Sequence, residues 1–105
     1  MRKTVYISAP ITGHENYVVQ HVFSAAEKEL LKRGYNTINP LELKKDLEGM
    51  FEHVHPSTGQ YIGYDISHLI DKSEAIYFCR GWHESKGCQL EFAAAKIYGK
   101  EIMFE

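Results

Sequence analysis

The sequence predicts one α/β domain built on a parallel sheet of about four strands, in the order 2-1-3-4, covered by helices on both faces. Short runs rich in β-branched and aromatic residues alternate with stretches of helical periodicity along residues 1–105. The intervening stretches are long enough for helical crossovers, which favour right-handed connections and parallel pairing. An apolar content of 44% supports one modest core, and the length excludes a second domain.

The first half of the chain has the pattern strand, helix, strand. Thr4–Ser8 (TVYIS) is typical of a strand, and loop residues follow it. From Asn16 to about Arg33, apolar residues recur every three or four positions, which predicts a long helix, and Gly34 provides its stop. Tyr35–Asn39 (YNTIN) is predicted as the second strand, ended by Pro40.

The second half is less regular at its start. Three leucines within residues 41–47 indicate a helical turn or two, and the glycines and proline of residues 49–59 favour a mobile loop. Tyr61–Lys72 has one apolar face and is predicted as a helix. Ala75–Cys79 is the predicted third strand, a helix follows it, and Glu101–Phe104 is the predicted closing strand.

The most informative segment, Gly81–Glu91 (GWHESKGCQLE), joins the third strand to this last helix. At about 100° per residue, Glu91 lies nearly opposite the polar side chains of that helix. These side chains are Lys86, Gln89, Lys96 and Lys100. A carboxylate on the sheet-facing side is costly to bury without a partner or a purpose. Glu91 is therefore either a satisfied core glutamate or a catalytic carboxylate that faces a pocket.

The predicted topology also gives the place of a pocket. Ligands of open α/β sheets bind beyond the carboxyl ends of the strands where the strand order reverses, here between strands one and three. Three segments meet there: Ser8–His14, Cys79–Gly87 and the stretch Tyr61–Asp65. Glu91 would project into this crevice from below.

Composition argues against several functional classes. A net charge of −2 with mixed signs gives no support for binding a nucleic acid polymer. Two cysteines without a C-x-x-C pair, and a start too short for a leader or membrane span, indicate a cytoplasmic protein that does not contact a membrane. The six histidines lack acids or cysteines at ligand spacing, so neither a metal nor a cofactor is expected.

Four features together resemble the nucleoside 2-deoxyribosyltransferase superfamily, and within it a short branch with a Gly-Trp…Ser-x-Gly…Glu run. They are the run Tyr6-Ile7-Ser8-Ala9-Pro10, the pair Asn39-Pro40, Asp65 on a helix, and Ser85-x-Gly87-x-x-x-Glu91. The resemblance implies a flavodoxin-like three-layer fold and a homodimer or larger homo-oligomer. It also implies N-glycosidic bond cleavage or base exchange on a (deoxy)nucleoside or its 5′-monophosphate.

The resemblance assigns roles to individual residues. Glu91 matches the nucleophile that attacks the anomeric carbon, Tyr6 matches the residue that orients it, and Asp65 matches the aspartate that assists protonation of the base. Ser85 stands where transferases of free nucleosides have aspartate, and it resembles the monophosphate hydrolases instead. Those hydrolases carry an arginine in the first loop, whereas Thr12 stands here.

Substrate contacts are expected from both loops around the crevice. These residues are Ser8, Pro10, Thr12, Gly13, Trp82, Ser85 and Gly87. Trp82 could stack on a base or serve as a packing lid, and Ser85 could be a helix cap as well as a phosphate ligand. Cys88 could be a nucleophile or a small buried hydrophobe.

Two hypotheses of different class follow. The first is an N-glycosidase or deoxyribosyltransferase that uses Glu91, Tyr6 and Asp65. The second is a nucleotide-binding module of the same fold that senses or sequesters its ligand without cleaving it.

Overall fold

A computed structural model describes residues 2–105 and contains one four-stranded sheet. Its strands are β1 (Thr4–Ser8), β2 (Asn36–Ile38), β3 (Ala75–Phe78) and β4 (Glu101–Phe104). All of the pairings are parallel and the order is β2-β1-β3-β4. The predicted fold class is therefore confirmed: the chain has a Rossmann-like, flavodoxin-like architecture.

The helices form a layer on each side of this sheet. They are α1 (Asn16–Lys32), α2 (Pro40–Gly49), α3 (Thr58–Lys72) and α4 (Lys86–Ile97), with a short 3₁₀ turn at Trp82–Glu84 before α4. α1 packs on one face of the sheet, and the other three helices pack on the opposite face.

Each face of the sheet contributes to its own buried cluster, because successive strand residues point to opposite sides. The cluster under α1 consists of Val5, Ile7, Ala9, Val19, Phe23, Ala26, Leu30, Ala75, Tyr77 and Cys79. The cluster under the other three helices consists of Tyr6, Leu43, Leu69, Ile76, Phe78, Cys88 and Ala95. The second cluster contains the residues that surround the site described below.

α2 is longer than the turn or two that the sequence indicated. Pro40, predicted only to end the second strand, is the first residue of a ten-residue helix. The Asn39 side chain caps this helix by accepting a hydrogen bond from the Leu41 amide at 2.9 Å. Proline fits the first helical turn because the amide it lacks would have no partner there.

α3 begins at Thr58 rather than at Tyr61, so the predicted loop of residues 49–59 is shorter than expected. Ser57 and Gln60 form a capping box, in which each side chain accepts a hydrogen bond from the other residue's amide. The Ser-x-x-Gln spacing was present in the sequence and explains the earlier start. His53, in the remaining loop, has a positive φ of 64°.

Lys100 is a further correction, because it does not extend the polar side of α4. The helix ends at Ile97, and the ammonium of Lys100 turns towards the end of α3. There it donates hydrogen bonds to the carbonyl oxygens of Ile70 (2.7 Å) and Ser73 (2.8 Å). Lys100 thus stabilises the last turn of α3 by satisfying carbonyls that have no helical partner.

Across residues 2–105, every helix is too short or too polar to cross a membrane.

Candidate functional site

The centre of the site is the Glu91 carboxylate, which accepts one hydrogen bond on each oxygen. The Tyr6 hydroxyl donates to Oε2 at 2.5 Å, and the Ser8 hydroxyl donates to Oε1 at 2.7 Å. Tyr6 and Ser8 are two positions apart on β1 and therefore point to the same face of the sheet. The predicted convergence of Tyr6 and Glu91 is present, and Ser8 contacts this carboxylate instead of lining the cleft.

The start of α4 directs Glu91 towards the sheet. Ser85 caps the helix, and its Oγ accepts a hydrogen bond from the Cys88 amide at 3.3 Å. Cys88 and Ala95 are the buried residues of α4 and define the side that lies on the sheet. Glu91 lies between Cys88 and Ala95 in the sequence. Viewed along the helix axis, its side chain is about 50° from the mean direction of those two residues, so it can reach β1.

Burial and hydrogen bonding act in opposite directions on Glu91. Burial raises the pKa of this carboxyl, while the hydrogen bonds from Tyr6 and Ser8 lower it. Burial also raises the pKa of Tyr6 well above its ordinary value, and the charge of Glu91 adds to this effect. Tyr6 therefore stays protonated and remains a hydrogen-bond donor to Glu91 over the physiological pH range.

Asp65 adds a second carboxyl to the same site. It lies on α3 one turn before Leu69, which is fully buried against the sheet, so its side chain points inwards. Burial, followed by the negative charge of Glu91, raises the pKa of Asp65 to about 7. Asp65 is thus close to half protonated at neutral pH.

A cleft of about 450 Å³ lies between the loop after β1 and the segment that joins β3 to α4, beyond the carboxyl ends of these two strands. It is lined by Pro10, Thr12, His14, Arg80, Gly81, Glu84, Ser85, Lys86 and Gly87. Glu91, Tyr6 and Asp65 are not among these lining residues. Gly87, one helical turn before Glu91 on the same side of α4, is the lining residue next to the carboxylate. Four of the residues expected to contact substrate, namely Pro10, Thr12, Ser85 and Gly87, are among these lining residues.

The cleft carries more positive charge than the sequence analysis anticipated. Arg80 and Lys86 both line it, together with His14, against the single carboxylate of Glu84. Arg80 is the second residue after β3. In parallel-sheet proteins, residues just beyond the carboxyl end of a strand commonly contact the ligand. The position of Arg80 just after a strand was the signal in the sequence that could have identified it.

The first loop turns sharply below Thr12. The His14 amide donates to the Ile11 carbonyl at 3.2 Å, and Gly13 has a φ of 85°. Glycine adopts this left-handed conformation without the penalty that a side chain would bring. Gly13 therefore shapes the loop that presents Thr12 and His14, and it is not itself one of the lining residues.

Trp82 belongs to an aromatic cluster. Its ring stacks on Phe92 with centroids 5.0 Å apart, and it also contacts Phe78 and Phe104. These contacts favour the packing interpretation of Trp82, and a stacking role on a base stays a prediction.

The cysteines provide no second reactive centre. Cys79 and Cys88 are both free and buried, and they belong to the clusters on opposite faces of the sheet. Burial raises the pKa of Cys79 to about 12 and also raises that of Cys88, so both remain thiols. Within residues 2–105, no three histidine, cysteine or acidic side chains are grouped as they would be around a metal ion.

Comparisons with known proteins identify a family. Neither the curated proteins nor the solved structures contain a match to this sequence. A family model described as a domain of unknown function, DUF4406, matches residues 3–104. Because this match spans nearly the whole sequence, the chain belongs to the DUF4406 family.

Proposed function

We propose that this protein cleaves the N-glycosidic bond of a (deoxy)nucleoside or its 5′-monophosphate, with Glu91 as the group that attacks the anomeric carbon. The observation that carries the proposal is the half-buried Glu91 carboxylate, held on both oxygens and close enough to Asp65 to raise its pKa, in a site next to a cleft. The resemblance of the sequence to the nucleoside 2-deoxyribosyltransferase superfamily supports the same chemistry.

In the first step, a Glu91 oxygen forms a bond to the anomeric carbon as the bond from that carbon to the base nitrogen breaks. The electron pair of the broken bond moves to the base, and Asp65 donates a proton to it. A carboxylate next to the sugar also stabilises the oxocarbenium character of the transition state. A pKa of about 7 lets Asp65 hold its proton in a large fraction of molecules at neutral pH.

In the second step, an acceptor attacks the anomeric carbon and the ester bond to Glu91 breaks. Asp65, now ionised, takes the proton that the acceptor loses. Water as acceptor gives the free sugar, and a second base as acceptor gives base exchange. The Glu91 carboxylate and the Asp65 proton are both restored in either case.

The mouth of the cleft fits a 5′-phosphate. Ser85 offers a hydroxyl, the first amides of α4 lack helical partners, and the side chains of Arg80 and Lys86 add positive charge. An aspartate at position 85 would instead repel an anion. We therefore favour the monophosphate over the free nucleoside as ligand.

The alternative function is a nucleotide-binding module without catalysis. The observation that favours it is the same cationic cleft, because Arg80 and Lys86 can bind a phosphate whether or not Glu91 reacts. Binding without release of base would support this alternative.

The test is a screen of nucleosides and their 5′-monophosphates for release of free base, read by chromatography. Glu91→Gln keeps the size of the side chain and removes the nucleophile, so we expect a loss of at least about 10³-fold. Glu52→Gln, in the exposed loop before α3, is the matched control and should keep wild-type activity. Equal activity of Glu91→Gln and wild type would refute the proposal.

A further inference from the structure

We propose, on the basis of the function above, that Ser8 is a positioning residue for Glu91, which holds the Oε1 atom and favours the ionised form of the carboxylate. Ser8 is only 1% exposed and its hydroxyl donates to Oε1 at 2.7 Å. A buried hydroxyl is costly without a partner. In this structure the partner is the carboxylate that the mechanism uses.

The backbone of Ser8 is held independently of its side chain. Ser8 pairs with Phe78 across the sheet, and its carbonyl accepts a hydrogen bond from the Cys79 amide at 2.8 Å. An alanine would fit the same strand position. The hydroxyl is therefore not required to build the strand. It contacts the Cys88 thiol and donates to Glu91, and of these two partners only Glu91 takes part in the proposed reaction.

Tyr6 alone would leave half of the carboxylate without a donor. Tyr6 is bonded to Oε2, and Ser8 is bonded to Oε1. Ser8 is also closer to the carboxyl end of β1, and Pro10, two residues further on, lines the cleft. Each donor thus holds one carboxylate oxygen, and Ser8 is the donor nearer the end of β1 that leads to the cleft.

Three other titratable groups face Glu91, and their charge states contribute to its electrostatic environment. Tyr6 approaches from β1, Asp65 from α3, and Cys88 from the preceding turn of α4 itself. Tyr6 and Cys88 stay neutral because their pKa values are raised. The charge of Glu91 in turn raises the pKa of Asp65, so Ser8 acts on both carboxyls: directly on Glu91 and indirectly on Asp65.

The first test needs no substrate. We would label glutamate at its carboxyl carbon, assign the Glu91 signal with Glu91→Gln, and titrate it by NMR. Ser8→Ala should raise the pKa of Glu91 by about one unit, the effect of losing one hydrogen bond to a charged group. Ser8→Thr retains the hydroxyl and should restore most of the wild-type value.

Ser73 provides the matched control, since it is also buried but donates to the Leu69 carbonyl, away from the site. Ser73→Ala should leave the titration of Glu91 unchanged. If Ser8→Ala does not fold, Ser8→Cys has nearly the same volume and a weaker donor, and it should give a smaller upward shift. An unchanged Glu91 pKa in the folded Ser8 variant would overturn the proposal.

The second test uses the nucleotide that the base-release screen finds. In Ser8→Ala the acidic limb of the kcat/KM profile, which reports groups of the free enzyme, should move to higher pH by the same amount as the Glu91 pKa. A purely structural role would leave this limb in place. Absence of base release by the wild-type protein would refute the proposed function. An unmoved acidic limb with an active wild-type protein would overturn the role of Ser8 alone.

Discussion

Replacing Asp65 with asparagine should make the protein more stable at high pH while removing its proton donor. Asp65 has an ordinary pKa of 3.8, and in the folded protein burial and the charge of Glu91 raise this pKa to about 7. Between these values the folded state binds more protons than the unfolded state does. Stability therefore falls as the pH rises from about 4 through about 7, and it stays at the lower level above that range.

The magnitude follows from the difference between the two pKa values. A difference of about three corresponds to about 4 kcal/mol of free energy of unfolding. Because the Asp65 side chain is partly open to water, solvent screening reduces this figure, and we expect about 2 kcal/mol. Asparagine cannot ionise, so the variant should avoid this loss.

The assay is urea unfolding of wild type and Asp65→Asn between pH 4 and pH 8.5. The stability curves should nearly coincide at pH 4 and diverge as the pH rises, with the variant more stable by about 2 kcal/mol at pH 8.5. Asp71→Asn, on the exposed side of α3, is the matched control and should follow wild type. A variant that is less stable than wild type at pH 8.5 would refute the raised pKa of Asp65 as a cost to stability.

Three further predictions concern ligand binding and assembly. In calorimetric titration, wild type should bind a deoxynucleoside monophosphate more tightly than the free deoxynucleoside by about 1–2 kcal/mol. Ser85→Asp should reverse that order. Equal wild-type affinities for the two ligands would refute the assignment of a phosphate site. Arg80→Gln should weaken binding of the monophosphate about fivefold, whereas Arg33→Gln, away from this cleft, should not; equal effects would remove Arg80 from the site. Sedimentation should detect a homodimer or larger assembly, consistent with the exposed apolar side chains of Leu90 (46%) and Ile97 (77%) on α4, and a monomer at high micromolar concentration would exclude it.

Much of the fold could be predicted because strand and helix periodicities differ. Thr4–Ser8 and Glu101–Phe104 have the predicted bounds, and parallel pairing follows from the helices that separate the strands. The region around α2 was harder to predict because Pro40 can end a strand or begin a helix. The Asn39 cap decides between these, and its hydrogen bond becomes visible only in the structure.

The site was predictable to the extent that periodicity places side chains on faces. The position of Glu91 opposite the polar side of α4 implied that it points at the sheet. Tyr6 was assigned from the resemblance to the superfamily, and the structure shows its hydroxyl bonded to Glu91. Strand alternation places Ser8 beside Tyr6, but a sequence does not reveal whether a hydroxyl contacts a substrate or a neighbouring carboxylate. The sequence did not decide between a packing role and a base-stacking role for Trp82, because its ring partners, Phe92 and Phe104, come together only on folding.

The central claim is that Glu91 becomes covalently bonded to the sugar during the reaction. The most direct measurement is mass spectrometry of the protein quenched in acid during turnover of the nucleotide that releases its base. We expect a mass increase equal to the sugar or sugar phosphate less one water, located on the α4 peptide that contains Glu91 and absent in Glu91→Gln. Base release by Glu91→Gln at the wild-type rate, or an adduct on a different residue, would contradict it.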